Sequence, residues 1–556
     1  MKKAGALVFV FMLIALVGCG NSPAIMNEPA PLSIVKTNVP FLGIADNPTL
    51  IDAAKPIFVE FSEPLDSKTI AKGIAVWLIT AKGQRHQEIL ATVDVDNPQK
   101  LSVVRADGAQ FEQGQLYVLA VSKMLKSVDG ARLGTNYEGY FASSSNFTLC
   151  CEDIPALKNE RSLIICISDV HLGIRDDYAE CVKNRPSLVA FLGKLREMPT
   201  VKELVLGGDI FDEWFIPAET DTFNGKTQLD FVQDIAKNND TVMAALNAII
   251  SDGKIKVTYV PGNHDLLVTA ADIQSVLPGI SQARDVQGLG AYSPEGHPEI
   301  IIEHGHRYNF FCAPDPISNK SVAPGSILPP GYFFTRIATS SVVQKHPKAG
   351  SAMPAVTANQ RGESQRLAFA YWNIWKTLIE GFPIQEAFDD KIIKTNIDGF
   401  TETYSINDLM PYQRVENGSI DFDLFRGIQD SWGERQTLNM VAVPIPASEA
   451  ISKAGSASEL DGQATTQYFS NPASDKRIVV FGHTHEPRII PSTNLAGKKT
   501  IYANTGTWID RNRLATMTFI VVSPPARPGS ILEYVDLYYY SADGSITKMD
   551  AQALSL

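Results

Sequence analysis

Cysteine is scarce in this chain, six among 556 residues, and none of the six stands inside the Asp, Asn and His clusters described below. A thiolate-built structural zinc site is thereby excluded. Positive charge is also in deficit. The formal net charge of −12 argues against a general nucleic-acid binder, because backbone binding rests on many Lys and Arg contacts to phosphates. Long apolar runs are missing as well. Ala4 to Val17 falls short of the roughly 20 residues that a membrane-spanning helix requires. No internal repeat is visible, which excludes solenoids and propellers.

Metal-liganding residue types are present, in order. Six short clusters run from Asp169 to Trp508: Asp169-Val170-His171, Gly208-Asp209-Ile210-Phe211-Asp212, Gly262-Asn263-His264-Asp265, His304-Gly305-His306, Gly482-His483-Thr484-His485 and Asn504-Thr505-Gly506-Thr507-Trp508. Singly they mean little, since such residues are commonly surface hydrogen-bonders or helix caps. Oxygen donors mixed with imidazoles suit Mn, Fe or Zn. Short apolar runs precede most clusters, at Leu163 to Ile167, Leu204 to Leu206, Val257 to Val260, Ile300 to Ile302 and Ile478 to Phe481. Each reads as a buried strand delivering its motif from the carboxyl end. Glycine directly before Asp209, Asn263 and His483 fits a chain that turns sharply against an ion.

The succession resembles the calcineurin-like metallophosphoesterase superfamily, over residues 161 to about 520 apart from a long segment between His306 and Gly482. The resemblance implies an α/β fold, a β-sandwich flanked by helices, and two divalent metal ions, with Mn foremost and Fe, Zn or Ca as alternatives. Carried over, Asp169, His171 and His485 hold the first ion, Asn263, His304 and His483 the second, and Asp209 bridges them. His306 stays open as an alternative to His304. The implied chemistry is in-line attack on phosphorus by a metal-bridging hydroxide, with no Ser or Cys nucleophile. His264, oriented by Asp212, stabilises or protonates the leaving oxygen; the blander reading of Asp212 is a helix cap.

One departure narrows the class. Relatives that dephosphorylate proteins continue the second motif with Arg-Gly, whereas this chain has Glu213-Trp214. The style of the first two motifs looks more like the branch containing UDP-2,3-diacylglucosamine pyrophosphatases. That branch implies a phosphodiester or pyrophosphate linkage on a nucleotide, sugar or lipid.

Lys2 and Lys3 before the apolar run read as a signal peptide, residues 1–18, and Leu16-Val17-Gly18-Cys19 resembles the bacterial lipobox. Lipidation at Cys19 would anchor the protein, extracytoplasmic, to a periplasm-facing or cell-surface membrane, at about 0.8 kcal/mol per buried methylene. Residues 19–31, rich in turn-formers, read as a tether. The five remaining cysteines are an odd number, so they cannot all pair within a monomer. Cys166 sits in an apolar run, and a pair drawn from Cys150, Cys151, Cys181 and Cys312 could cross-link in an oxidising compartment.

The length exceeds what one core supports. Residues 32–149 show short alternating strands broken by turn signals, and resemble bacterial Ig-like domains in Phe61-Ser62-Glu63-Pro64-Leu65-Asp66. A spacer is the plainer role for this all-β sandwich and docking the other. A linker at 150–160 leads into 161–556, where an insertion at about 307–476 should emerge beside the site and set specificity. Arg366 to Ile379 carries apolar residues at helical spacing, reading as the insertion's own core or as a groove for an acyl chain or base. Ser448 to Ser470 reads as a mobile loop, and Arg307, Arg336 and Arg361 are candidate phosphate contacts, Arg307 foremost.

Two functional classes emerge. One is a metal-dependent phosphoesterase acting on a phosphate-ester small molecule, nucleotide-sugar or lipid. The other is a non-catalytic surface-binding or adhesion lipoprotein that keeps the fold. Retention of Asp209, Asn263, His304, His483 and His485 together with His264 favours the enzyme.

Overall fold

The computed structural model describes residues 32–39, 48–80, 83–133, 136–143, 148–149, 152–153, 161–221, 223–359, 361–524 and 532–555. Cys19, the leader, the tether, Cys150, Cys151 and most of the 150–160 linker lie outside the described residues. The architecture is mixed α/β with several sheets. Among the described residues no helix is long and apolar enough to cross a membrane.

Two compact units are distinguished: Cys166–Leu192 with Leu204–Thr516, and Pro23–Ile165 with Gly193–Glu203 and Met517–Leu556. The first carries every motif cluster. Its five-stranded sheet runs Ala291–Tyr292, Ile300–Glu303, Ile478–Phe481, Lys499–Asn504, Arg488–Thr493, with the three central strands parallel in register Ile300↔Ile478↔Ile501. In the same unit Lys256–Val260 pairs in parallel with Ser281–Gln282, while in the second unit Thr518–Ser523, Leu532–Tyr540 and Ile546–Ser555 pair antiparallel in sequence order. Leu163–Ile167, Ile300–Glu303 and Ile478–Phe481 are buried at every position. That is why they read as unbroken apolar runs rather than alternating ones.

In the second unit, Ile57–Phe61 alternates buried and half-buried residues, the pattern of a strand with one face on a core. It belongs to a four-stranded sheet with Ile34–Thr37, Lys100–Arg105 and Ile89–Val93; five further strands centre on Leu116–Val121. Val59, Phe61, Val76, Val103, Leu119 and Phe141 share its core. The C-terminal strands group with this unit, where the Lys548 ammonium lies 3.2 Å from the Asp536 carboxylate and donates to the Glu138 carbonyl.

The insertion is helical, with main helices Pro330–Val343, Glu363–Gly381 and Ile428–Leu438. Its aromatic stripe is core: Tyr371 and Trp375 are fully buried, and Tyr371 stacks on Phe311 at 5.3 Å. The expected loop at Ser448 to Ser470 is instead ordered as Ala447–Ser452, Ala457–Ala464 and a π-turn at Thr465–Phe469. Ser456 caps the second helix by accepting from the Glu459 amide, and Lys453 pairs with both Glu449 and Glu459. The small residues that suggested mobility permit close packing, as at buried Ala450, Ala454 and Ala464. Cys181 and Cys312 are buried free thiols, and burial pushes Cys181 up to about 12.

Arg336 is a structural clamp rather than a phosphate contact. Its buried guanidinium donates to the carbonyls of Ile216, Pro217, Ala218 and Thr220 and to the Tyr332 hydroxyl. Arg336→Ala strands several buried acceptors at about 1–3 kcal/mol each. The expected result is a stability loss of roughly 3–5 kcal/mol, read from the midpoint of urea unfolding.

Candidate metal centre

Each buried strand ends in a turn that is tight against its neighbours. Gly208 has φ 96°, and a Cβ there would sit 2.5 Å from His304 Nδ1. A Cβ on Gly262 would run into the Asp209 carboxylate and amide. The strain extends beyond glycine. Asp169 (φ 51°), His171 (51°), Asp209 (53°), His483 (67°) and His485 (58°) all occupy the left-handed region. Non-glycine residues held there cost about 1–3 kcal/mol each and cluster where function over-determines the backbone.

Two groups of side chains converge. Asp169, His171 and His485 form one: His485 Nε2 is 3.0 Å from Asp169 Oδ1 and 3.3 Å from His171 Nε2. Asp209, His304 and His483 form the other. Asp209 Oδ2 stands between them, 3.1 Å from His304 Nε2 and 3.7 Å from His171 Nε2. Asn263 is fully buried and neither of its side-chain polar atoms has a hydrogen-bond partner. Asp209 Oδ2 and His304 Nε2 face each other as an ion pair, and His483 Nδ1 is buried without a hydrogen-bond partner.

This pattern fits divalent cations. An orphaned buried polar atom costs about 1–3 kcal/mol, so the three on Asn263 and His483, beside crowded carboxylates and imidazoles, call for an occupant. His304 Nδ1 donates to the Gly207 carbonyl at 3.0 Å, which turns the Nε2 lone pair toward Asp209. Burial opposes charge on His304, yet the carboxylates of Asp209 and Asp169 raise its pKa to about 9. The negative field that recruits this proton is the field a cation would satisfy. His483, penalised by burial and by His304, falls to about 3 and stays neutral, as a ligand must. His306 is buried too, with neither ring nitrogen hydrogen-bonded, but it joins none of the ligand groups.

Beside these groups lies an acid–base pair. His264 Nδ1 is 2.9 Å from Asp212 Oδ1, while Asp212 Oδ2 is 3.1 Å from His171 Nδ1. Asp212 also accepts from the Trp214 and Phe215 amides at 2.9 and 2.8 Å, closing a turn while it orients the imidazole; among the described residues no helix starts there, so it is not the helix cap of the alternative reading. Burial works against a charged His264, but Asp212 and Asp209 raise it to about 9. The Asp209 carboxylate accepts the His264 amide at 2.8 Å, tying the second and third motifs together.

The motifs Asp169, His171, Asp209, Asp212, Asn263, His264, His304, His483 and His485 thus come together, each no more than 7% exposed. Arg307 does not join them. Its guanidinium is spent on Glu303 and Asp285, both at 2.8 Å, and Arg361 donates at the surface to Ser419. The contacts made by four residues of the motifs could not be read from the sequence. The Trp214 ring stacks on His264 at 4.7 Å. Asp265 accepts from the Gly262 and Ile210 amides at 2.5 and 3.0 Å, buttressing two motif turns; its place at the end of Gly-Asn-His-Asp was the available signal. Thr507 Oγ1 and the Trp508 amide both donate to the Asp169 carbonyl.

Residues 162–324 match the model of the calcineurin-like phosphoesterase family. The chain therefore carries a calcineurin-like phosphoesterase domain, the catalytic unit of metal-dependent phosphoester hydrolases that bind two divalent metal ions and act on phosphate esters. Metal-dependent hydrolysis of phosphate esters is the activity generally found in that family. No curated protein matches the chain. Among solved structures, a Vps29 point mutant from Entamoeba histolytica is 10% identical, covering 71% of this chain and 99% of its own, at a TM-score of 0.20. The S-layer protein rSbsC is 22% identical over 17% of this chain, at a TM-score of 0.14, and E. coli alpha-2-macroglobulin is 15% identical over 26%, at 0.15. The chain spans 13% and 7% of those two proteins. Likenesses this slight bear on neither fold nor function.

Proposed function

We propose that the site hydrolyses a phosphodiester, pyrophosphate or phosphomonoester bond by direct in-line attack of water. The observation that carries this reading is the convergence of the orphaned atoms of Asn263 and His483 with Asp209 and His304, beside the His264–Asp212 pair. Asp169, His171 and His485 would hold one cation, Asn263, His304 and His483 the other, with Asp209 common to both. Bound there, two divalent ions supply Lewis acidity, lowering the pKa of water towards about 7 and neutralising phosphoryl oxygens. His264 holds a proton for the leaving oxygen, Asp212 fixes the ring's orientation, and Trp214 covers one ring face and keeps water from it.

Manganese is the proposed metal, on the mixed oxygen and imidazole donor set. The motif style supports a nucleotide-sugar or lipid substrate of the diacylglucosamine pyrophosphatase kind, and Glu213-Trp214 in place of Arg-Gly argues against a phosphoprotein. The lipobox-like run at Cys19 supports a lipid-anchored, extracytoplasmic enzyme, with the N-terminal all-β strands as an Ig-like spacer. A non-catalytic adhesion role is disfavoured by the intact donor set.

The test uses protein lacking residues 1–19, stripped of metal and then given Mn, Zn, Fe or Ca, against bis(4-nitrophenyl) phosphate, 4-nitrophenyl phosphate and UDP-sugars. The expected result is two ions per chain and turnover that appears only on metal addition. Two bound ions with no turnover on any member of the panel would count for the adhesion reading.

A further inference from the structure

The turn Gly482-His483-Thr484-His485 carries two strained histidines on consecutive alternate residues, and the group that closes its hydrogen-bond network comes from the distant insertion. His483 and His485 both have positive φ, a conformation that persists only when its surroundings fix it. Three backbone contacts hold the turn from the core side: the Gly482 amide to the His304 carbonyl at 3.2 Å, and the His483 amide to both Asp169 carboxylate oxygens at 3.1 Å. From the far side, Asn504 Nδ2 donates to the Gly482 carbonyl at 2.7 Å and to Thr484 Oγ1 at 3.0 Å.

This far-side network converges on Asp461, in the helix Ala457–Ala464. Asp461 is 3% exposed. Its Oδ1 accepts from Thr484 Oγ1 at 3.3 Å and Asn504 Nδ2 at 3.4 Å, and makes a short hydrogen bond from the Tyr502 hydroxyl. Its Oδ2 faces Arg488 Nε at 3.3 Å. Burial pushes this carboxyl up to about 6, opposed chiefly by Arg488, so at neutral pH it is mostly the ionised acceptor. A second contact from the insertion reaches the same turn, where Asn309 Nδ2 lies 3.3 Å from both His483 Nε2 and the Ala454 carbonyl.

We infer that Asp461 is a positioning residue for the metal-binding turn, and that through it the insertion sets how well His483 and His485 hold their cations. The inference rests on the proposed function insofar as these histidines are ligands. A charged acceptor shared by Thr484, Tyr502 and Asn504 locks the hydroxyl and amide that bracket the turn. Without it, those donors lose a buried acceptor and the left-handed residues are freer to relax.

The test compares Asp461→Ala, Asp461→Asn and, as a control on the same insertion, Lys453→Ala, which breaks the Glu449 and Glu459 pairs without touching the turn. Mn affinity is measured against a competing chelator, the Co(II)-substituted visible spectrum is recorded, and kcat and KM are determined for bis(4-nitrophenyl) phosphate. Asp461→Ala is expected to weaken Mn binding by about 10–100-fold, change the Co(II) spectrum and lower kcat at subsaturating metal with little change in KM. Asp461→Asn, which keeps an acceptor oxygen, should recover part of the loss, and Lys453→Ala should match wild type in all three. Wild-type Mn affinity and an unchanged Co(II) spectrum in Asp461→Ala, whether or not its melting temperature falls, would overturn the inference and leave the proposed function standing. Failure of the wild-type protein itself to bind Mn or Co(II) would overturn both.

Discussion

Asp209→Asn is expected to lower kcat/KM for a phosphodiester by at least about 1,000-fold while leaving the protein folded. The substitution keeps volume and preserves an acceptor for the His264 amide, which Asp209 Oδ1 receives at 2.8 Å. It alters the other oxygen. Oδ2 lies within reach of both histidine groups, at 3.1 Å from His304 Nε2 and 3.7 Å from His171 Nε2. An amide there brings no negative charge to share between cations, and Lewis-acid stabilisation worth several kcal/mol corresponds to about three decades in rate at roughly 1.4 kcal/mol each. Elemental analysis should show fewer than two ions per chain. Retention of wild-type turnover with two bound ions would show that Asp209 is not the shared ligand.

The site residues were legible in the sequence because cation chemistry demands particular residue types, and those types stand out after buried strands. Ile478–Phe481 and Leu163–Ile167 are buried on both faces, so the apolar run and the polar residue that ends it are both visible in one dimension. Glycine next to Asp209 and Asn263 marked the close approaches. What could not be read is conformation and long-range partnership. Nothing local shows that Asp169, His171 and His485 take positive φ, since the penalty is borne by contacts from residues far away, such as the Thr507 hydroxyl on the Asp169 carbonyl. Arg307 looked like a phosphate contact by proximity in sequence, whereas buried Glu303 and half-buried Asp285 claim it. The 448–470 segment failed for a related reason: Ser, Ala and Gly composition describes a flexible chain in isolation, and here the same small side chains let helices approach closely. Local rules succeed where burial is uniform along a strand and fail where a distant residue decides the outcome.

The second large effect separates catalysis from cation binding. His264→Asn is expected to reduce kcat by about 100- to 10,000-fold, the usual range for loss of a positioned general acid, with both ions retained. His264 is placed for proton delivery by three contacts: its Nδ1 meets Asp212 at 2.9 Å, its amide is fixed to Asp209, and its ring lies against Trp214 at 4.7 Å and 28°. Asp212 is therefore shared between His264 and His171, whose Nδ1 is 3.1 Å away. The proton held on His264 matters in proportion to the basicity of the leaving oxygen. A nitrophenolate departs readily as the anion, whereas an alkoxide from a sugar or glycerol does not. The deficit of His264→Asn should accordingly be small on bis(4-nitrophenyl) phosphate and large on an alkyl diester, measured as the ratio of kcat values on the two substrates. His264 also lies within ligand distance of His171 and Asp209 as a group, so metal content decides between two roles. Loss of an ion together with equal deficits on both substrates would make His264 a ligand. Two retained ions with a leaving-group-dependent deficit make it the acid, because with Lewis-acid stabilisation unchanged the deficit that grows with leaving-oxygen basicity is that of the lost proton donor.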